Sequence, residues 1–172
     1  GVCVVTTGPA ASNAMTGLLA AWQDSVPVIF ISGQTRIEQT SYNLKVRQRG
    51  SQECNILDVI DPWVKGSYFI NEPNKIGNIL DKAVIECTSN RKGPVWIDLP
   101  VNLQWQKVEN KKISFTMANN LHTKEKDKNC LEFSKCIEEI KTAKKPLFIL
   151  GRPVKNSKLL NLFLEKLSNK KL

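Results

Sequence analysis

Four short runs along the chain are almost continuously apolar: residues 2–7, 27–32, 95–99 and 146–150. Strands buried on both faces have this pattern, whereas half-buried antiparallel strands alternate. Between the runs the period lengthens to that of a helix. Ala14, Leu18, Ala21 and Trp22 fall near i, i+4, i+7 and i+8, with Ser12 or Asn13 placed to cap the helix and Asp24-Ser25 to end it. Residues 54–60 predict a short helix broken by Pro62 and Gly66, and residues 67–70 a further strand. Residues 71–89 predict an amphipathic helix with Ile76, Ile79, Leu80, Ala83, Val84 and Cys87 along one side. Residues 35–50 are polar and without period, a loop of the length that often carries function. Strands alternating with helices predict an α/β fold, a parallel sheet flanked by helices, with the run at 2–7 as one of its buried strands.

The pattern fades at residue 105. Residues 105–128 are polar, charged and mostly aperiodic, a linker. Beyond it, residues 130–142 predict a helix, 146–150 a strand, Gly151-Arg152-Pro153 a turn and 157–167 another helix. One strand and two helices cannot bury a core, so the second domain is expected to be truncated. The first is expected to be truncated at its N-terminus, because Gly1 leads directly into a core strand. The organisation read from the sequence is therefore a domain over 1–104, a linker over 105–128 and the start of a second domain over 129–172.

Composition narrows the classes. A hydrophobic fraction of 41% in 172 residues allows a real core. The formal charge of +9 lies entirely in residues 101–172, since acidic and basic residues balance over 1–100. A basic, non-catalytic nucleic-acid-binding module is therefore one reading. Sparse aromatic interleaving in the basic part speaks against it, so no nucleic-acid partner is expected. The apolar runs are too short to cross a bilayer, and no basic n-region precedes the first, so neither a membrane partner nor a signal peptide is expected. The cysteines number five, without C-x-x-C spacing, and His122 is the one histidine. Reduced thiols in a cytoplasmic protein are expected, not a zinc site.

Candidate chemistry centres on "TTGPAASN" at 6–13, where a strand end feeds a helix start. As a phosphate loop it is poor, with one glycine, no lysine, and a proline that removes a backbone donor. As a rigid turn shaping a pocket wall it is better: Pro9 offers an apolar face and Asn13 an amide that both donates and accepts. The serine-hydrolase, zinc-protease and P-loop signatures are absent from the sequence.

In order, "GVCVVTTGPAASNAMTGLLAAWQDSVPVIFISGQ", "RQRGSQE" and "RKGPVWIDLPVNLQ" resemble the thiamine diphosphate enzymes, above all the acetolactate synthase (acetohydroxyacid synthase) large-subunit group. The resemblance covers about residues 1–104 and implies most of a pyrimidine-binding domain. "AKKPLFILGRPVKNSKLLNLFLEKL" resembles the start of the family's Rossmann-like central domain. The implied activity is decarboxylation of a 2-oxo acid such as pyruvate and transfer of the two-carbon unit to a second carbonyl compound, with thiamine diphosphate and Mg2+. Pro9 and Asn13 would line the aminopyrimidine pocket, and Gln52 would face cofactor and substrate. The family's catalytic glutamate would lie upstream of Gly1 and its G-D-G…N magnesium motif in a C-terminal domain. No catalytic or metal residue is thus assigned here, and the segment is expected to be inactive alone. The family builds its sites between subunits, implying a homodimer or homotetramer. Ser51 stands where acetolactate synthases place phenylalanine, which keeps open a decarboxylase or lyase reaction of the same family. Gly151-Arg152-Pro153 replaces a glycine-rich turn, so FAD is not expected. Asp98 reads as a structural aspartate at a strand end.

Overall fold

The computed structural model describes residues 1–42, 44–108, 135, 138–149, 151, 160, 161, 164 and 165. The chain divides into two compact units, 1–118 and 119–172. In the first, β1 (Val2–Thr6), β2 (Ile29–Gln34), β3 (Ser67–Phe69) and β4 (Val95–Pro100) form one parallel sheet in the order β1-β2-β4-β3. The helices are α1 (Pro9–Gln23), α2 (Ile56–Ile60), α3 (Ile76–Thr88) and α4 (Val101–Gln104). Among the described residues no helix is long and apolar enough to cross a membrane.

Topology assigns the helices to faces. The chain moves across the sheet in one direction from β1 to β2 to β3, then turns back to β4. Right-handed crossovers place connections of opposite direction on opposite faces. Accordingly α1 and α2 pack Leu18, Ile56 and Ile60 against Phe30 and Trp96. On the other face α3 packs Ala83 and Cys87 against Ile29, Val95 and Ile97. Successive residues of β2 and β4 therefore feed two different cores, which is why those runs lack polar alternation. Ser32, Gln34 and Asp98 are the polar exceptions, and Ser32 and Asp98 are register partners. Lys65 donates from its ammonium to the carbonyls of Glu86 and Ser89, satisfying the end of α3.

Several expectations shift. Helix α1 is capped by neither Ser12 nor Asn13. It starts at Pro9, with Gly8 as the N-cap residue and no side-chain cap. Proline supplies the helical φ of the first turn, and the amide it lacks is one that the helix would leave unpaired there. Ser12 lies inside that turn, its hydroxyl donating to the Pro9 carbonyl. Strand β2 begins two residues later than expected and runs through Gly33 to Gln34, because those residues still pair with Leu99 and Pro100. Pro62 follows the end of α2 at Ile60, as expected. It sits in a 3-10 turn, Asp61–Trp63, where its missing amide costs no ladder bond. A second such turn, Pro73–Lys75, occupies the predicted start of α3. Among the described residues β1 is an edge strand, partly buried on one face only: Cys3 and Val5 pack on the α1 side, whereas Val2 and Val4 are exposed. Residues 146–149 form no strand, and Leu147 and Ile149 are 85% and 89% exposed. A strand requires a hydrogen-bonded neighbour, and none meets this run among the described residues. Of the two later helices, 135, 138–142, 160, 161, 164 and 165 are helical. The rest of those helices, the linker beyond 108, Leu150 and the turn at Arg152-Pro153 lie outside the described residues.

Candidate functional site

Parallel sheets of this kind hold ligands beyond the carboxyl ends of their strands. A cleft of about 670 Å³ lies there. Val4, Val5, Thr6 and Thr7 come from β1 and its turn, Ile31, Gly33 and Gln34 from β2, and Thr35 from the residue after it. Ser51 and Gln52 come from the following loop, and Leu99, Val101 and Gln104 from β4 and α4. Apolar walls alternate with hydroxyl and carboxamide groups, and none of these lining residues is charged. Such a lining suits an uncharged heterocycle with edge donors and acceptors better than it suits a phosphate.

Two backbone segments meet to form one wall. Gly8 has φ 69° and ψ −128°, a conformation open to glycine. A Cβ there would lie 2.5 Å from the Gln52 carbonyl oxygen, so the absence of a side chain permits the contact. Gln52 itself has φ 56°, in the left-handed region that costs a non-glycine residue about 1–3 kcal/mol. The loop is pinned by the next residue. Glu53, 7% exposed, accepts from the Ser41 amide and hydroxyl, both at 2.6 Å, and from the Arg49 amide at 2.8 Å.

Burial pushes the Glu53 carboxyl up, but its hydrogen bonds from Ser41, Arg49 and Gly50 outweigh that and lower its pKa overall. A lowered folded-state pKa means that stability is present above the unfolded value and is lost as pH falls through the folded one. Glu53→Gln is expected to cost about 2 kcal/mol at pH 7, since one acceptor becomes a donor facing donors. Urea unfolding of both proteins checks this: the gap should close as acid protonates Glu53, and equal stability at pH 7 would remove the pin.

Behind the cleft lies a buried polar network. Asp98, fully buried, accepts from Ser32 Oγ at 2.5 Å, Gln34 Nε2 at 2.9 Å and Tyr42 Oη at 3.3 Å. Trp96 Nε1 donates to Ser32 Oγ at 2.8 Å. Burial raises the Asp98 carboxyl above the ordinary range, against the lowering effect of Ser32, Gln34 and Tyr42. Burial, and then Asp98 beside it, raises the Tyr42 phenol. The structural role expected for Asp98 is what these contacts describe.

Of the residues singled out in the sequence, Gln52 lines the cleft, as does Ser51. Pro9 and Asn13 lie one helical turn apart near the start of α1, both exposed and outside the cleft lining. Gln34, Thr7, Thr35 and Tyr42 were not singled out. Their signal is faint but real: Ser32, Gln34 and Asp98 interrupt otherwise apolar strands. Among the described residues, no three His, Cys, Asp or Glu side chains group to hold a metal, and Cys3, Cys54 and Cys87 are free thiols.

Comparison with known proteins adds the family. Residues 1–59 match the thiamine pyrophosphate enzyme, N-terminal TPP binding domain. An acetolactate synthase large subunit of Buchnera aphidicola subsp. Schizaphis graminum is 31% identical over 98% of this chain and 29% of its own length. The acetolactate synthase isozyme 3 large subunit of Escherichia coli is 31% identical over 88% of the chain and 25% of its own length. An acetolactate synthase large subunit of Haemophilus influenzae is 40% identical over 58% of the chain and 16% of its own length. The chain thus spans less than a third of the length of these relatives. The chain is similar to the N-terminal TPP binding domain of thiamine pyrophosphate enzymes over residues 1–59, and along most of its length to acetolactate synthase large subunits.

Proposed function

We propose that the chain is part of a thiamine diphosphate-dependent enzyme of the acetolactate synthase type. Such an enzyme decarboxylates a 2-oxo acid such as pyruvate and passes the two-carbon unit to a second carbonyl compound. One observation carries this: the uncharged cleft at the strand ends, walled by the turn after β1 and by Gln52. Its apolar and amide-rich lining fits an aminopyrimidine ring, with Val4, Ile31 and Leu99 against the faces and Gln52 toward the polar edge. When bound, the cofactor supplies the electron sink for decarboxylation. This chain orients the ring and excludes water from it, while Pro9 fixes the start of α1 and Asn13 stands one turn along. The charged diphosphate and Mg2+ then require groups outside this lining, and FAD is not part of the proposal. A homodimer or homotetramer with the site between subunits, in the cytoplasm, completes it. Because the small hydroxyl of Ser51 lines the cleft, a different acceptor or simple decarboxylation is the second reading. A panel of 2-oxo acids separates the two.

The test uses the complete protein that carries this segment, assayed for acetolactate from pyruvate with and without thiamine diphosphate and Mg2+. Turnover should require the cofactor. Gln52→Gly should leave the fold intact or about 1 kcal/mol more stable, since glycine relieves the positive φ. It should cut turnover about tenfold or more by removing a positioning group. Cofactor-independent turnover would overturn the reading, and full activity of the variant would take Gln52 out of the site.

A further inference from the structure

Gln34 is 3% exposed at the end of β2, and every polar atom of its carboxamide is engaged. Nε2 donates to the Cys54 carbonyl and to Asp98 Oδ2, each at 2.9 Å. Oε1 accepts from Thr7 Oγ1 at 3.0 Å and from the Thr35 amide at 2.9 Å. Thr7 immediately precedes Gly8, and Cys54 follows Gln52 by two residues. The tight approach of Gly8 to the Gln52 carbonyl is therefore bracketed by hydrogen bonds from a single side chain. We propose that Gln34 is the positioning residue of the cleft, its carboxamide setting the spacing between the turn at 7–9 and the loop at 52–54.

The orientation of that amide is determined by its surroundings. Flipped, it would place NH2 against the Thr35 N–H and oxygen against the Asp98 carboxylate. Asp98 is held in turn by Ser32 and by Tyr42, whose ring lies 4.7 Å from that of Phe69. A buried carboxylate without a cationic hydrogen-bond partner among the described residues thus selects one rotamer of Gln34, and that rotamer fixes both halves of the wall. The titratable groups around the carboxamide are Asp98 from β4 and Tyr42 and Cys54 from the loop after β2, with Asp58 of α2 acting on Tyr42. Helix α1 carries no charged residue. That the spacing serves a pyrimidine ring rests on the proposed function, but the bracket itself does not.

Hydrogen exchange of the full chain, read by mass spectrometry without cofactor, tests it. Gln34→Met should speed amide exchange in residues 5–9 and 50–54 together, by about tenfold or more. Thr7→Val, a milder change, should speed residues 5–9 and leave 50–54 as they were. Gln34→Glu sets two carboxylates face to face. At pH 7 it should behave like Gln34→Met. After correction for intrinsic rates it should regain protection in acid, once both carboxyls are protonated and the introduced hydroxyl can donate to the Cys54 carbonyl while the Asp98 hydroxyl closes the pair. Gln34→Met should show no such recovery. Unchanged exchange in either segment of Gln34→Met, or equal effects of Thr7→Val on both, would overturn the proposal. So would the absence of acid recovery in Gln34→Glu. An enzyme that proves not to use thiamine diphosphate would leave these results readable, so the two failures are distinguishable.

Discussion

Gly8→Ala is expected to destabilise the first domain by about 3 kcal/mol, combining a backbone position reserved for glycine with an overpacked contact. The Cβ would meet the Gln52 carbonyl oxygen, a backbone atom that cannot rotate aside. Either the turn must leave the glycine region, moving Pro9 and the start of α1, or the loop must withdraw, moving Gln52 and loosening Gln34 from Cys54. Both routes open the same wall. Denaturant unfolding should show a lower midpoint with little change in slope, and cofactor-dependent activity of the complete protein should fall further than stability alone explains. Because the strain resides in the approach of Gly8 to Gln52, substitution at Gly17 is the comparison. A Cβ there meets nothing within 4 Å, and alanine in that mid-helix position should be neutral or stabilising.

Trp96→Ala should be harsher still for the fold, about 3–5 kcal/mol. Trp96 is fully buried near the start of β4 and stacks on Phe30 with ring centroids 5.0 Å apart and planes 3° apart. Its loss leaves a cavity between the sheet and the α1/α2 layer. It also removes the donor that Ser32 receives while Ser32 donates to Asp98. A small domain has a total stability of only about 5–15 kcal/mol, so low yield of folded protein is the expected result. Trp96→Phe keeps most of the packing and removes only the indole N–H, with an expected cost of about 1–2 kcal/mol by urea unfolding. If Trp96→Phe were as damaging as Trp96→Ala, packing would not be the main role of this residue.

Much of the first domain was legible because its signals are local. Apolar runs marked β2 and β4, and the stripe from Ile76 to Cys87 marked α3. What escaped depended on distant partners. The cap of α1 was misplaced because Ser12 and Asn13 are good capping residues, yet Pro9 and the conformation of Gly8 start the helix earlier. Burial of β1 was overestimated because β-rich composition does not reveal that, among the described residues, the strand has one neighbour. Gln52 was legible through motif order alone, and its positive φ was not. Gln34 was hardest. Its partners lie 27, 20 and 64 residues away at Thr7, Cys54 and Asp98, and only the β2–β4 register brings Ser32 opposite Asp98.

The assignment of the cleft to the aminopyrimidine ring can be read residue by residue in solution. Uniformly 15N-labelled chain would be titrated with thiamine diphosphate and Mg2+ at millimolar concentration and followed by amide and side-chain NMR shifts. The expected shifts are at Thr6, Thr7, Ser51 and Gln52 and at the Gln34 carboxamide. They should stay weak, because none of the residues lining the cleft is charged to anchor the diphosphate. Shifts confined to the basic residues of 101–172, with Thr7, Gln34 and Gln52 unmoved at saturation, would contradict it.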